Sequence, residues 1–329
     1  MNYRQPAEWQ PHSACWLAYP YDPAWWLDDL EGAQLEFMAL AKQIGGSEKL
    51  EILVPDQTVG ETLLKQLATL PCRYHLIPYG DIWLRDIGPV FVRSEQGELA
   101  SNVFEWNGWG NKYLMPHDHT VSRAIAQVLH MSMREFPLIL EGGAIETDGA
   151  GTCLTTRSCL ADRNPSLSES QINQMLTTAY GVDTIFWLEQ GLLNDHTDGH
   201  IDTIARFIAP GKVMYMLPTD SQDPNRAVLL EIERQLASFQ DQQQRFLQLV
   251  PIPSPGLVKH RSGEIMPASY LNFYIANNQV IVPLYGSDQD QVALQAIAPH
   301  FPTRKTIGLP AKSILGGGGA FHCITQQQP

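Results

Sequence analysis

The chain of 329 residues is 44% hydrophobic, which suits a packed globular protein and lies far from the disordered range. Its 22 basic and 35 acidic residues leave a net charge of −13, so it lacks the basic footprint that nucleic acid requires. That acidity keeps a cytosolic protein soluble and draws a small cation toward it.

The longest apolar runs, such as 279–284, are far shorter than the roughly 20 residues of a membrane-spanning helix. The opening stretch Met1 to Trp9 has no basic segment followed by an apolar core, so a cytoplasmic location is expected. The five cysteines, Cys15, Cys72, Cys153, Cys159 and Cys323, are odd in number and scattered. They fit no disulfide framework, they contain no C-x-x-C pair for structural zinc, and they imply a reducing compartment.

Taken in chain order, the elements repeat. Ala14–Tyr19 reads as a strand, Leu35–Ile44 as an amphipathic helix and Glu51–Val54 as a strand, with an extra helix and strand over Thr58–Pro78. Ile87–Phe104 is a hairpin turning at Glu95-Gln96-Gly97, followed by a helix near Val121–Met131 and a strand at Pro137–Leu140. The unit recurs as the hairpin Ala144–Thr156, the helix Glu169–Tyr180 and the strand Thr184–Leu188. It recurs again as Ile201–Leu217, Arg226–Phe239 and Leu247–Ile252, with the glutamine run Gln240–Gln244 as a solvated helix end. A fourth copy is Tyr270–Leu284, Gln289–Ala298 and Thr303–Ile307. Ser313–Leu315 is then expected to pair with Ala14–Tyr19, joining the chain ends and removing open sheet edges. The expected architecture is α/β, one closed domain over residues 1–329.

Polar residues that look out of place sit at one point of each unit, just before or at the start of the hairpin. They are Asp86, Glu141, His200, Asn272 and Cys323, separated by 55, 59, 72 and 51 residues. Units arranged around an axis would bring all five together there. Each also has a plainer reading. Asp86 can pair with Arg85 or form an Asx turn, Glu141 can be an exposed loop acid, and Asn272 can be a buried hydrogen-bonding residue. The run Asp195-His196-Thr197-Asp198-Gly199-His200-Ile201-Asp202 holds ligand types for a metal, although no second cluster like it appears. Cys323 follows Gly316 to Gly319, a loop whose amides can favour a thiolate, whereas most free cysteines are inert apolar residues.

The whole set is one thiol, one histidine and several carboxylates. A cysteine–histidine protease has no use for converging carboxylates, whereas paired carboxylates match the two-pronged geometry of guanidinium. A thiolate facing a guanidinium carbon, with a histidine to move protons, describes guanidine hydrolysis.

The motifs Trp83-x-Arg85-Asp86-x-Gly88-Pro89, Glu141-Gly142-Gly143, Thr197-Asp198-Gly199-His200-x-Asp202, Pro267-Ala268-Ser269-Tyr270-x-Asn272-Phe273-Tyr274 and the glycine-rich His322-Cys323 segment occur in that order. On these the chain resembles the agmatine deiminase and bacterial-type peptidylarginine deiminase family of the guanidine-modifying superfamily. The resemblance implies a five-bladed pseudo-symmetric α/β propeller, or pentein, each blade a hairpin, helix and strand, with the site on the axis. It implies that Cys323 attacks the guanidinium carbon, that His200 protonates departing ammonia and then activates water, and that Asp86 and Asp202 hold the guanidinium. Trp83, Arg85, Glu141, Asp198, Asn272 and Gly318 fall at substrate-binding positions of the family, and neither a metal nor an organic cofactor is implied. His196 stands where some members carry an acid, a departure at the substrate's tail. The leading expectation is hydrolysis of agmatine to N-carbamoylputrescine and ammonia through a covalent amidino-cysteine, in polyamine biosynthesis or in arginine and agmatine catabolism. The alternatives are deimination of arginine in peptides, amidino transfer to an amine, a metal-dependent hydrolase, and a silent binding module. An exposed apolar face would point to a homo-oligomer such as a dimer.

Overall fold

The computed structural model describes residues 2–26, 29–241 and 244–329. The described residues form five small sheets, and four share one plan: an antiparallel hairpin, a helix on the outside, and a third strand parallel to the second. A parallel pair needs a crossover, and a helix supplies it. The first sheet has Tyr3–Arg4, Val90–Ser94, Leu99–Glu105 and Ser132–Ile139, with helix Asp118–Val128. The second has Glu146–Thr147, Thr152–Thr156 and Thr184–Leu188, with helix Glu169–Tyr180. The third has Ala205–Ala209, Lys212–Leu217 and Gln248–Pro253, with helix Arg226–Ser238. The fourth has Tyr274–Ile275, Gln279–Leu284 and Lys305–Pro310, with helix Asp290–Ile297. The fifth joins Gln326–Gln328 to Ala14–Ala18, Lys49–Leu53 and Cys72–His75, with helices Leu30–Gly45 and Gln57–Gln66. This is the pseudo-symmetric pentein propeller.

Local chemistry accounts for these boundaries. Helix Glu169–Tyr180 starts at a capping box in which Ser168 and Gln171 satisfy each other's amides, and it stops at Gly181 in the left-handed conformation (φ 68°). Its buried face is Ile172, Leu176, Ala179 and Tyr180, the helical spacing expected of one stripe. At the fourth turn Asn277 clamps two sheets together. Its Oδ1 accepts from the His12 amide at 2.8 Å, and its Nδ2 donates to the carbonyls of His12 at 2.9 Å and Ser47 at 3.2 Å.

Ring closure differs from the sequence expectation. Ser313–Leu315 is not a strand: it lies in the short helix Lys312–Gly316, whose first amides, Ser313 N and Ile314 N, donate to Glu36 at 3.1 and 2.8 Å. The strand that pairs with Ala14–Ala18 is Gln326–Gln328, running antiparallel to it. A row of glutamines has little strand propensity, and here tertiary bonds decide. Gln328 Oε1 accepts from Trp16 Nε1 at 2.9 Å, and Gln326 Nε2 donates to the Pro89 carbonyl at 2.6 Å. The last strand of the fourth sheet is Lys305–Pro310, later than the expected Thr303–Ile307, and the first sheet's outer strand begins at Ser132 rather than Pro137. The third helix ends at Ser238, and Gln240 bridges Phe246 beyond it rather than ending a helix; Gln242 and Gln243 lie outside the described residues.

Arg206, fully buried on the strand Ala205–Ala209, ties the sheets at their inner ends. It donates to Glu146 at 3.1 Å, to Glu8, and to the carbonyls of Leu271 and Phe273 at 2.9 Å each. Replacing Arg206 with Met should leave two buried carboxylates without their cation and lower the unfolding free energy by about 3–5 kcal/mol. Urea denaturation followed by circular dichroism measures this.

Candidate active site

Each functional side chain leaves the inner end of a sheet from a tight, irregular segment. Asp86 sits on the single turn Leu84–Ile87, Glu141 precedes the turn Gly142–Ala144, His200 precedes the turn Ile201–Thr203 and Asp202 sits in it. One-turn segments leave their ends unpaired, and the side chains fill them. Asp86 Oδ1 accepts from the Gly143 amide at 3.0 Å, and its Oδ2 accepts from Trp109 Nε1 at 2.8 Å.

The five axial positions do converge. His200 Nδ1 lies 3.7 Å from Asp86 Oδ1, and its Nε2 lies 3.4 Å from Glu141 Oε2. Cys323 Sγ lies 3.7 Å from Asp202 Oδ2 and accepts from Asn272 Nδ2 at 3.1 Å. Gly143 marks the meeting point. A Cβ there would stand 2.5 Å from His200 Nδ1, 3.0 Å from Asp86 Oδ1 and 3.2 Å from Asp202 Oδ2.

Burial and neighbouring charge set the protonation states. Burial and the Asp202 and Asp86 carboxylates push the Cys323 thiol well above its ordinary value, against the pull of the Ala320 amide and Asn272. The glycine loop alone therefore does not make this thiol a thiolate. Burial pushes Asp86 up to about 6, against His200 and together with Asp202 and Glu141. Burial opposes the charge of His200, yet Asp86, Cys159 and Glu141 hold its ring well above the ordinary histidine range. Burial likewise opposes the charges of Glu141 and Asp202. His200 and Arg163 keep Glu141 below the carboxylate norm, and His322, His200 and Arg206 do so for Asp202.

Above Cys323 and Asp86 opens a cavity of about 180 Å³, walled by Trp83, Trp109 and Tyr113, with His196 and the loop Gly316–Gly319 along one side. Gly318 faces His196: its φ of 120° suits glycine, and a Cβ would meet His196 Nδ1 at 2.7 Å. The structure thus places Trp83, Asp86, Gly318 and Cys323 on the cavity, with His200 and Asp202 fully buried beneath it.

Four expected substrate-binding residues lie elsewhere. Arg85 turns to the opposite side, where Nε donates to the His322 carbonyl at 3.3 Å. Glu141 is shut behind His200 and held by Arg163 Nε at 2.9 Å. Asp198 pairs with Lys112 at 2.8 Å and Arg163 at 2.7 Å. Asn272 supports the nucleophile from behind.

Sequence reasoning missed Trp109, which holds Asp86, and Asp81, whose Oδ2 accepts from Trp83 Nε1 at 2.7 Å and which burial raises to about 7. It also missed Glu8, Arg163 and Arg206, buried or nearly buried charges without a recurring spacing. Asp81 could have been found from its place two residues before Trp83.

Two buried groups bring mixed ligand atoms within 4.8 Å of one another: Glu141, Cys159 and His200, and Glu8, Glu146 and His322. In both, guanidinium groups already occupy the carboxylates, Arg163 in the first and Arg206 in the second. A metal ion would have to displace an arginine.

A methyl group at Gly143 would intrude on His200, Asp86 and Asp202 together. Gly143→Ala should cut kcat/KM by about 100-fold, the loss typical of a misplacement near 1 Å, with the melting temperature far less affected. Steady-state kinetics beside a thermal melt checks this.

The chain is similar along its whole length to known proteins. An agmatine deiminase of Enterococcus faecalis superposes with a TM-score of 0.93 at 31% identity, over all of this chain and 96% of that one. A cysteine-to-serine variant of C. jejuni agmatine deiminase with substrate bound gives a TM-score of 0.89 at 27% identity, over 99% and 96% of the two chains. A curated relative from Marinomonas sp. strain MWYL1, which carries agmatine deiminase as a provisional name, is 37% identical over 353 residues, covering 100% of this chain and 95% of its own. The family model described as Porphyromonas-type peptidyl-arginine deiminase matches residues 4–329, and the chain belongs to that family.

Proposed function

We propose that the chain works as one α/β-propeller domain that hydrolyses agmatine to N-carbamoylputrescine and ammonia through a covalent amidino-cysteine. One observation carries the reading: a thiol, an imidazole held protonated and two carboxylates meet at the floor of an aromatic-walled cavity. The agmatine deiminases of E. faecalis and C. jejuni, similar over nearly their whole length, support the choice of substrate. Five unbridged cysteines support a reducing compartment such as the cytoplasm.

The guanidinium cation lies between Asp86 and Asp202 with its carbon toward Sγ. Burial and the same two carboxylates hold the thiol up, so the cation that neutralises the carboxylates also eases loss of the thiol proton. That proton passes to solvent as the S–C bond forms, and Asp202, 3.7 Å from Sγ, stays ionised against the cation. His200 gives its proton to the departing nitrogen, the C–N bond breaks and ammonia leaves. Neutral His200 then takes a proton from the water that adds to the amidino carbon. The C–S bond breaks, the sulfur takes the hydroxyl proton of that adduct, a urea group remains on the tail, and the proton first lost by the thiol leaves with ammonia as ammonium. Glu141, buried and fixed by Arg163, keeps the His200 ring oriented and charged for the first transfer.

Ammonia release should be measured with agmatine, free arginine and a blocked arginine peptide. Release from agmatine, abolished in Cys323→Ala, is expected. Release from the peptide alone would move the function to protein deimination, and retained activity in Cys323→Ala would overturn the covalent mechanism.

The acid limb of kcat/KM reports groups of the free enzyme. Asp86 must be ionised to hold a guanidinium, and its carboxyl is raised to about 6, so kcat/KM should fall as pH drops through about 6. Asp86→Asn should be nearly inactive across the range, its pH profile lacking that inflection.

A further inference from the structure

His322, next to the nucleophile in sequence, has its ring buried between two acids. Nδ1 lies 2.6 Å from Asp202 Oδ2 and Nε2 lies 3.0 Å from Glu8 Oε2. Ionised carboxylates only accept hydrogen bonds, and a neutral imidazole has a single N–H, so at least one further proton is shared within this trio. The main chain of His322 is fixed as well. Its amide donates to Asn272 O and Asn272 Oδ1 at 3.0 Å each, and its carbonyl accepts from Arg85 Nε at 3.3 Å. Beyond Glu8 stands Arg206, bonded to the carbonyls on either side of Asn272. His322 does not reach the cavity, so it touches no substrate.

Main-chain bonds would suffice to hold the loop. The ring adds a line of contacts from the N-terminal segment, through Glu8, to the carboxylate nearest the nucleophile. Asp202 Oδ1 has no hydrogen-bond partner among the described residues, while Oδ2 is taken by His322. We propose that His322 is a positioning residue: its Nδ1–H pins Asp202 Oδ2, so that Asp202 stays ionised and presents Oδ1 to a guanidinium nitrogen, while Glu8 anchors the other side of the ring. This rests on the guanidine-hydrolase reading given above.

Asp202 faces His322, His200 and Arg206, with Asp86 and the Cys323 thiol also close; His322 faces Glu8 and Asp202, with Glu146, Arg85 and Arg206 around them. Burial drives the Asp202 carboxyl toward its neutral form, and His322 leads the groups that oppose this. Without the bridge Asp202 gains a proton at higher pH, and a neutral acid no longer attracts the cation.

Two amide substitutions separate the ring nitrogens. The Asn amide reaches the position of Nδ1, and the longer Gln amide that of Nε2. His322→Asn should keep the acid limb of kcat/KM where the unaltered enzyme has it. His322→Gln should add an Asp202 titration to that of Asp86, steepening the limb, and weaken agmatine binding about tenfold or more in a Cys323→Ala background, as loss of a charge-assisted bond predicts. Calorimetry reads the binding. If both variants lose activity alike with the slope of the limb unaltered, His322 merely supports the loop and the proposal falls.

A measurement on the unaltered protein covers the case in which the variants do not fold. Histidine-ring nitrogen NMR should show a proton on Nδ1 of His322, and its absence overturns the proposal. An unaltered enzyme that releases no ammonia from agmatine would instead defeat the functional reading, and the NMR result would stand apart from it.

Discussion

Burying charge governs this molecule. Five carboxylates, Glu8, Asp86, Glu141, Glu146 and Asp202, lie at or near zero exposure around the axis. An isolated buried carboxylate is untenable unless it is paired or neutralised. Here the counter-charges come from His200, His322, Arg163 and Arg206, each set on a different sheet end or loop from the acid it meets. The sheets must therefore close around the axis for any of these charges to be tolerated. Pairing across sheets holds the ring and the reactive groups at once.

Asp86 is less completely compensated than the acids that meet an arginine, and in the proposed reaction that places the chemistry. Arg206 answers Glu8 and Glu146, and Arg163 answers Glu141, so those acids serve the framework. Asp86 has two neutral donors, Trp109 and the Gly143 amide, and a histidine at 3.7 Å. In the proposed reaction a cation entering the aromatic cavity meets an acid, Asp86, that has no arginine of its own. Burial and the Asp202 and Asp86 carboxylates hold the thiol up, so in the proposed reaction the acids that recognise the cation also govern the nucleophile.

Much of this was legible in the sequence because the repeat is written in short-range chemistry. Turn residues and apolar spacing placed the helices of the second and third units at or near their observed bounds. The recurring odd polar residue before each hairpin located the axis. What escaped was decided by distant contacts. Gln326–Gln328 forms a strand because Trp16 and Pro89 satisfy its side chains, and no local pattern announces that. Arg85, beside Asp86 in a matched motif, points the other way, because consecutive residues of a single turn do not share a face. Arg163 and Arg206 look like ordinary arginines until the sheets meet.

The closing strand has one more consequence, in time rather than in space. The Trp16–Gln328 hydrogen bond joins positions 312 apart in the chain. Ring closure over such a span adds little entropy cost per added residue, yet contacts so distant in sequence form slowly. Cys323 lies three residues before that strand and meets Asp202 and Asn272 only when the ends have found each other. Until then the thiol is one more cysteine on an unfinished chain. Its environment depends on pairings among the most distant in the chain, so the contacts that close the ring also complete the site.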